Sequence, residues 1–279
     1  MSDLPGPTIA DLLAQARSAG VDRLDAQLLL ARLVGQRRTW LVAHDDATLD
    51  RAQLAVWHSW LARRIAGEPL AYLLGEKEFR GLLFRVDANV LVPRPETEIL
   101  VDWALEVLSG PLRERSPQRV ADLGTGSGAI AIAVKHALPA TQVSATDASG
   151  AALAVARANA RRLGTGITFA CGSWWDAVSD RFDVLLSNPP YVAANDPHLA
   201  ALSHEPLGAL TPGGDGLAAL REIIGGAGNH LTPGGWLLVE HGHDQAQAVQ
   251  ALFRAAGFCA IATRNDLSGQ PRCTGAWHA

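Results

Sequence analysis

Cysteine is scarce in this chain of 279 residues: Cys171, Cys259 and Cys273 are the only three, odd in number and widely spaced. No two stand at metal-ligand spacing and a disulfide framework is not expected, so they read as small apolar fillers in or near strands. Among nine histidines the close pair is His241 and His243, which reads as loop chemistry and not as a metal site. No apolar run approaches the roughly 18 residues of a membrane span. The start, Met1-Ser2-Asp3-Leu4-Pro5, lacks the positive charge and apolar core of a secretory signal. A soluble, cytoplasmic protein is therefore expected. Basic charge is not in excess either, with 24 Lys and Arg against 28 Asp and Glu, a net charge of -4 and a pI near 6.1. Such a balance gives no general pull towards nucleic acid or anionic lipid, although a local basic groove stays open. Internal repeats, low-complexity tracts and long charged blocks are also missing.

What is present begins with helical periodicity. Thr8 can cap a helix in which Ile9, Leu12, Leu13 and Ala16 recur at helical spacing up to Gly20. A second helix is predicted from Asp22, with Leu24, Leu28, Leu29 and Leu33 as its apolar stripe before Gly35. Thr39 to Ala43 and Arg51 to Ile65 keep the same period, and Trp57 and Trp60 read as core residues. No strand-like alternation precedes residue 77, so residues 1–74 are expected to form a small helical domain. Residues 75–92 read differently: Phe79 to Val86 carries aromatic and β-branched residues around Gly81, the pattern of a hairpin joining two domains. Pro93-Arg94-Pro95 then breaks the chain, and Glu96 to Leu108 is predicted as an amphipathic helix with an acidic first turn.

From Arg119 the rhythm is strand, helix, strand. Short strands are predicted at 120–123, 142–146, 167–171, 182–187 and 235–240, the last after a Pro233-Gly234 turn, with helices at 129–138, 151–163, 217–229 and 245–256. Two final strands, 259–264 and 273–277, suit an edge hairpin. This alternation specifies an α/β fold, a mostly parallel Rossmann-like sheet with helices on both faces, over residues 93–279.

Three features of that region carry chemistry. Asp122-Leu123-Gly124-Thr125-Gly126-Ser127-Gly128 follows the first strand and opens a helix. Its glycines run G-x-G-x-G, not G-x-G-x-x-G, and bring the backbone close to a ligand at the strand's carboxyl end, without the lysine of a triphosphate cradle. Asp147 ends the next strand, where a carboxylate can accept hydrogen bonds from both hydroxyls of a ribose. Together they point to an adenosine-bearing cofactor. Ser187-Asn188-Pro189-Pro190-Tyr191 follows the fourth strand; neither proline can donate to a ladder, so the strand stops and leaves a carboxamide, free carbonyls and a phenol at its tip. Such a tip can accept from an NH2 group and cover it with an aromatic face, but its chemistry does not separate a glutamine amide from an adenine amine.

The set resembles the class I S-adenosylmethionine-dependent methyltransferases that methylate planar nitrogens through an Asn-Pro-Pro-Tyr turn. Further segments narrow it: Glu68 to Tyr72, Gly75, Phe79, Leu91 to Glu98, Asn159-Ala160, His204-Glu205-Pro206 and Leu238 to Gly242. Over nearly the whole chain these are similar to the release-factor glutamine methyltransferases. The resemblance implies N5-methylation of the glutamine in the Gly-Gly-Gln loop of peptide-chain release factors, with S-adenosylhomocysteine as product and the N-terminal domain docking the substrate protein. It implies that Gly124, Thr125, Gly126, Ser127 and Gly128 wrap the methionine and ribose of the cofactor, that Asp147 binds the ribose, and that Trp174 lies against adenine. Asn188 would bridge cofactor and substrate, while Pro189, Pro190 and Tyr191 hold the glutamine. Ser173 departs from the pattern, since that position is often aspartate, and Asp176 is the nearby acid. A monomer without direct nucleic-acid contact and without a metal is expected. Glutamine methylation of a ribosomal protein shares almost every motif; adenine-N6 methylation of nucleic acid predicts a basic groove or a target-recognition domain, and neither is evident.

Overall fold

A computed structural model describes residues 6–279. Met1 to Pro5, on which part of the signal reading rests, lie outside the described residues. The chain divides into two compact units, residues 1–75 and 76–279.

The first unit is helical: α1 (Ile9–Ser18), α2 (Arg23–Val34), α3 (Arg38–Ala43), α4 (Arg51–Ile65) and α5 (Leu70–Leu74). Thr8 with Asp11, and Asp50 with Gln53, form reciprocal capping boxes that satisfy otherwise orphaned N–H groups at the starts of α1 and α4. Ile9, Leu12, Leu29, Leu30, Leu41, Trp57 and Leu61 make its core. Trp57 is fully buried and donates from Nε1 to Gln15 Oε1 at 3.1 Å, whereas Trp60 is half-buried at the core's edge. The stripe predicted for α2 is displaced. Leu24 is exposed and the buried face runs through Ala26, Leu29, Leu30 and Ala31, because α2 packs against α1, α3, α4 and α5 and no single heptad-like stripe covers four neighbours.

The second unit opens with β1 (Glu76–Phe79) and β2 (Leu82–Arg85), an antiparallel hairpin turned at Arg80 and Gly81, both with positive φ. A single 3-10 turn, Pro95–Thr97, precedes α6 (Glu98–Ser109). Then follow β3 (Arg119–Leu123), α7 (Ala129–Ala137), β4 (Gln142–Asp147), α8 (Gly150–Arg162), β5 (Thr168–Cys171) and β6 (Phe182–Ser187). After them come α9 (Leu207–Leu210), α10 (Ala218–Ala227), β7 (Leu231–Glu240), α11 (Ala246–Ala255), β8 (Cys259–Asn265) and β9 (Pro271–Trp277). The seven-stranded sheet has the order β5-β4-β3-β6-β7-β9-β8; its first five strands are parallel and β9 runs antiparallel to both its neighbours. Pro233-Gly234, predicted as a turn, lies inside β7 where the pairing with β6 slips between Phe182 and Val184. An irregular stretch of this kind is where a strand tolerates proline.

Alternation along the strands feeds two cores. Leu186 and Leu238 face one way with Leu100, Trp103, Ile130 and Val134, while Leu185, Leu237 and Val239 face the other with Leu220, Ile223, Val249 and Phe253. Of the cysteines only Cys273 is a buried filler; Cys259 is half-buried and Cys171 is exposed at a strand end. No helix among the described residues is long and apolar enough to cross a membrane.

Candidate active site

The sheet turns back on its own sequence order between β3 and β6. β4 and β5 extend from β3 on one side, β7 from β6 on the other, so the carboxyl ends of β3 and β6 flank a crevice where open α/β sheets hold ligands. Leu123 pairs with Ser187 there, and Ser187 Oγ donates to Leu123 O at 2.8 Å. The glycine loop and the Asn188 turn therefore leave the sheet side by side.

A cavity of about 300 Å³ occupies this crevice. Gly124, Thr125, Gly126 and Ser127 wall it, with Asp147, Trp174, Asn188, Pro190 and Arg94 among the other lining residues. The loop is shaped by its glycines. A Cβ on Gly128, at φ +84, would come within 2.9 Å of Ile132 Cδ1, so only glycine lets α7 and α8 close behind the loop. Gly126, at φ +55, has open space where a Cβ would stand, and a side chain would fill the cradle. Asp147 is held for acceptance: its Oδ2 takes the Gly126 N–H and its Oδ1 the Ser149 N–H, both at 2.8 Å, leaving each oxygen a further lone pair. Beneath the loop the buried Asp122 accepts from Thr125 Oγ1 at 2.6 Å. Burial pushes its carboxyl up to about 7, against the Thr125 hydroxyl and the Ala131 N–H, with the charge of Asp147 adding to the rise.

Trp174 stands with φ +38 and its ring edge beside Gly124, 3.2 Å from where a Cβ would sit. Trp175 turns away, donating to Glu222 O at 3.1 Å and stacking on His230, so it packs against α10 and the residue before β7. Ser173 lines the cavity and Asp176 does not.

Asn188 reaches the cavity from the end of β6, with its Nδ2 donating to Thr97 Oγ1 at 3.1 Å. Pro190 lines the cavity; Pro189 is buried and, like Tyr191, is not among the lining residues. Tyr191 is tied down instead: Oη donates to Glu240 Oε1 at 3.0 Å and its carbonyl accepts from Gln245 Nε2 at 2.9 Å. Burial first, then the Glu240 charge, raises the Tyr191 phenol well above its ordinary value. Burial likewise pushes Glu240 up to about 7, opposed by the Thr97 and Tyr191 hydroxyls and the Arg272 guanidinium. Of Arg94, Glu96 and Glu98, only Arg94 lines the cavity; Glu98 accepts the Arg80 N–H at 3.1 Å. Glu205, buried, takes the Val92 N–H at 3.0 Å and pairs with Arg94, clasping the loop before α9 to the segment after the hairpin. Asn159 bonds Arg85 through both its N–H and C=O and also donates to Ser127 O, joining hairpin, α8 and glycine loop.

Thr97 and Glu240 are residues to which motif reading gives no role of their own. Glu240 carried a usable signal, an acid at the end of the strand beside β6; Thr97, inside a proline-rich turn, carried none. No group of His, Cys, Asp and Glu among the described residues has metal-binding geometry, and His241 is buried between Gly242 O and Thr274 Oγ1.

Strand order, glycine loop and strand-end acid together define a class I methyltransferase. The methyltransferase small domain model matches residues 98–266, and the PrmC N-terminal domain model matches residues 8–75. The release factor glutamine methyltransferase of Bordetella pertussis is 49% identical over 273 residues, 96% of this chain and 98% of that protein. That of Burkholderia pseudomallei is 48% identical, covering 97% and 96%. Among solved structures, the T. thermophilus 16S rRNA N2 G1207 methyltransferase, in complex with AdoMet and guanosine, superposes with a TM-score of 0.55 at 17% identity, over 73% of this chain and 50% of that one. The chain belongs to the release factor glutamine methyltransferase family.

Proposed function

We propose that this protein transfers a methyl group from S-adenosylmethionine to the side-chain amide N5 of the glutamine in the Gly-Gly-Gln loop of a peptide-chain release factor, as the names of its relatives suggest. One observation carries the reading: a single cavity gathers the glycine loop, the Asp147 carboxylate and the Asn188 carboxamide. The residues suit the donor chemically. Asp147 offers acceptors for a ribose, Trp174 a flat face for adenine, and the open Gly126 cradle room for the chain that bears the sulfonium. When bound, S-adenosylmethionine supplies an activated methyl cation equivalent.

The protein's own task is then to present a nitrogen. An amide nitrogen is a weak nucleophile because its lone pair is delocalised, and two acceptors on its N–H groups hold it in line and favour the charge it develops. Asn188 Oδ1 and the Pro189 carbonyl take that role, Pro190 walls the approach, and Tyr191, anchored on Glu240, keeps the turn's shape and covers the planar amide. The turn holds no general base; the proton leaves after transfer, when the nitrogen is far more acidic. Residues 1–74 act as the docking domain, 75–92 as the link and 93–279 as the catalytic domain, in a monomer working in the cytoplasm with no direct nucleic-acid contact. The test is transfer of label from S-adenosylmethionine to an intact release factor, its Gln-to-Ala loop variant, ribosomes and DNA. Label is expected on the intact factor alone; label on the Gln-to-Ala variant or on DNA would overturn the assignment.

A further inference from the structure

We propose that the groove between α2 and α3 is the surface on which the release factor docks, and that it takes a segment of that protein bearing a carboxylate beside an aliphatic side chain. The inference rests on the function proposed above and narrows the docking role of the N-terminal unit to one face.

An open groove of about 650 Å³ runs between the two helices, lined by Arg23, Leu24 and Gln27 of α2 and by Arg38, Thr39 and Val42 of α3. The spacing puts each set on one helix face: Arg23 and Leu24 stand four and three residues before Gln27, and Arg38 stands four before Val42. The core is met by other positions, Ala26, Leu29, Leu30 and Ala31 of α2 and Leu41 of α3. Leu24 is 44% exposed and Val42 69%. Two bulky aliphatics that line one groove and serve neither core offer an apolar seat.

Gln27 is the second observation. It is 8% exposed and lines the groove, yet its amide has no hydrogen-bond partner among the described residues. A carboxamide so placed is costly until a ligand satisfies it, and one amide can both donate to and accept from a peptide backbone. Arg23 and Arg38 likewise have no ion-pair partner among the described residues, whereas Arg63 and Arg64 of the same unit pair with Glu68 and Asp25. The one acid in the groove, Asp22, is engaged in capping α2, where it accepts the Leu24 N–H at 2.7 Å and the Asp25 N–H at 3.4 Å. The groove is therefore locally positive in a chain of net charge -4.

That chemistry selects the occupant. Guanidinium groups bind carboxylates through a planar fork of donors. No aromatic residue lines the groove, so it lacks the stacking platform that a nucleic-acid strand uses. Its open form and few apolar walls do not enclose a small molecule. A protein segment with an acid, an aliphatic side chain and a free backbone amide meets all three features.

The full chain and its R38E and V42S variants are assayed with labelled S-adenosylmethionine on an intact release factor and on a short Gly-Gly-Gln peptide, and S-adenosylhomocysteine affinity is measured by calorimetry. Both positions are exposed, so the melting temperature is expected to change little. R38E is expected to raise KM for the intact factor at least about 10-fold, because repulsion replaces a charge-assisted contact, and V42S about threefold, both at wild-type kcat. On the peptide both variants are expected to keep the wild-type KM, with S-adenosylhomocysteine affinity within about twofold. Added salt is expected to raise KM for the intact factor more steeply in wild type than in R38E. Wild-type KM for the intact factor in either variant overturns the proposal. So does an equal rise on the peptide, which lacks the docking segment, or an equal or shallower salt dependence in wild type. A wild-type chain that leaves the release-factor glutamine unlabelled overturns the underlying function instead, which separates the two failures.

Discussion

Asn188 and Asp147 share one cavity and are assigned opposite sides of the reaction, which makes their variants separable. Asn188→Ala removes the acceptor proposed for the substrate amide at a loop tip, so turnover is expected to fall at least about 100-fold, the scale of losing a positioned transition-state contact, while the melting temperature changes little. Asp147→Ala is expected to show the reverse emphasis, with S-adenosylhomocysteine affinity weakened at least about 10-fold, as for loss of charge-assisted hydrogen bonds. Calorimetry and single-turnover rates on the same preparations check both, and an Asn188→Ala variant with normal turnover would remove its assigned role. Asp122 adds a pH signature. Its carboxyl ordinarily titrates at 3.8 but is held up to about 7 in the fold, so between those values the folded chain keeps a proton that the unfolded chain has released. Stability from this group is present at the acid end of that window and is lost as pH rises through it. Glu240, raised from 4.5 to about 7 by burial, has the same sign. Asp122→Asn is therefore expected to flatten the dependence of melting temperature on pH between about 4 and 7, measured by calorimetric scans. An unchanged slope would show that Asp122 does not carry this linkage.

Among elements, the loop before α9 is held by one carboxylate. Glu205 satisfies the Val92 N–H and pairs with Arg94, and the segments it joins contribute Pro206, Gly208, Ala209 and Asn89 to Arg94, apart from Val92, to the cavity wall. Glu205→Ala leaves a buried backbone donor without a partner, which costs about 1–3 kcal/mol. The expected outcome is a lower denaturant midpoint with an unchanged slope, together with weaker S-adenosylhomocysteine binding. A stability loss with normal binding would confine Glu205 to the fold. At this scale the sequence was legible wherever a helix or strand advertises its own ends. Thr8 marks a helix start through its cap, and β6 is a short, mostly apolar run of a length that suits a buried strand. It was illegible where packing overrides the local signal. The buried face of α2 departs from its leucine stripe, Pro233 runs inside β7, and the short helices α5 and α9 lack a period long enough to detect.

Across the whole molecule, two units with separate cores allow a division of labour to be tested by removal. A chain of residues 76–279 retains every residue of the cavity lining. It is expected to bind S-adenosylhomocysteine within about threefold of the full chain, as pairwise independence of distant sites implies. If residues 1–74 dock the substrate, that shorter chain methylates an intact release factor far more slowly than the full chain does, while the two differ little on a short Gly-Gly-Gln peptide. Equal rates on the intact factor would remove the docking role. The sequence by itself determined the alternation of strands and helices, the glycine loop with its strand-end acid, and the Asn188 turn, because each is set by residues near in the chain: periodicity, proline's missing N–H and glycine's freedom at positive φ. Only the tertiary structure decided what those residues face. Thr97 meets Asn188 across 91 positions, Glu205 meets Val92 across 113, and Tyr191 is drawn onto Glu240 across 49. Contacts of this kind are chosen by how the sheet stacks its strand ends, and buried polar groups without near neighbours in the chain must find their partners wherever the fold brings them.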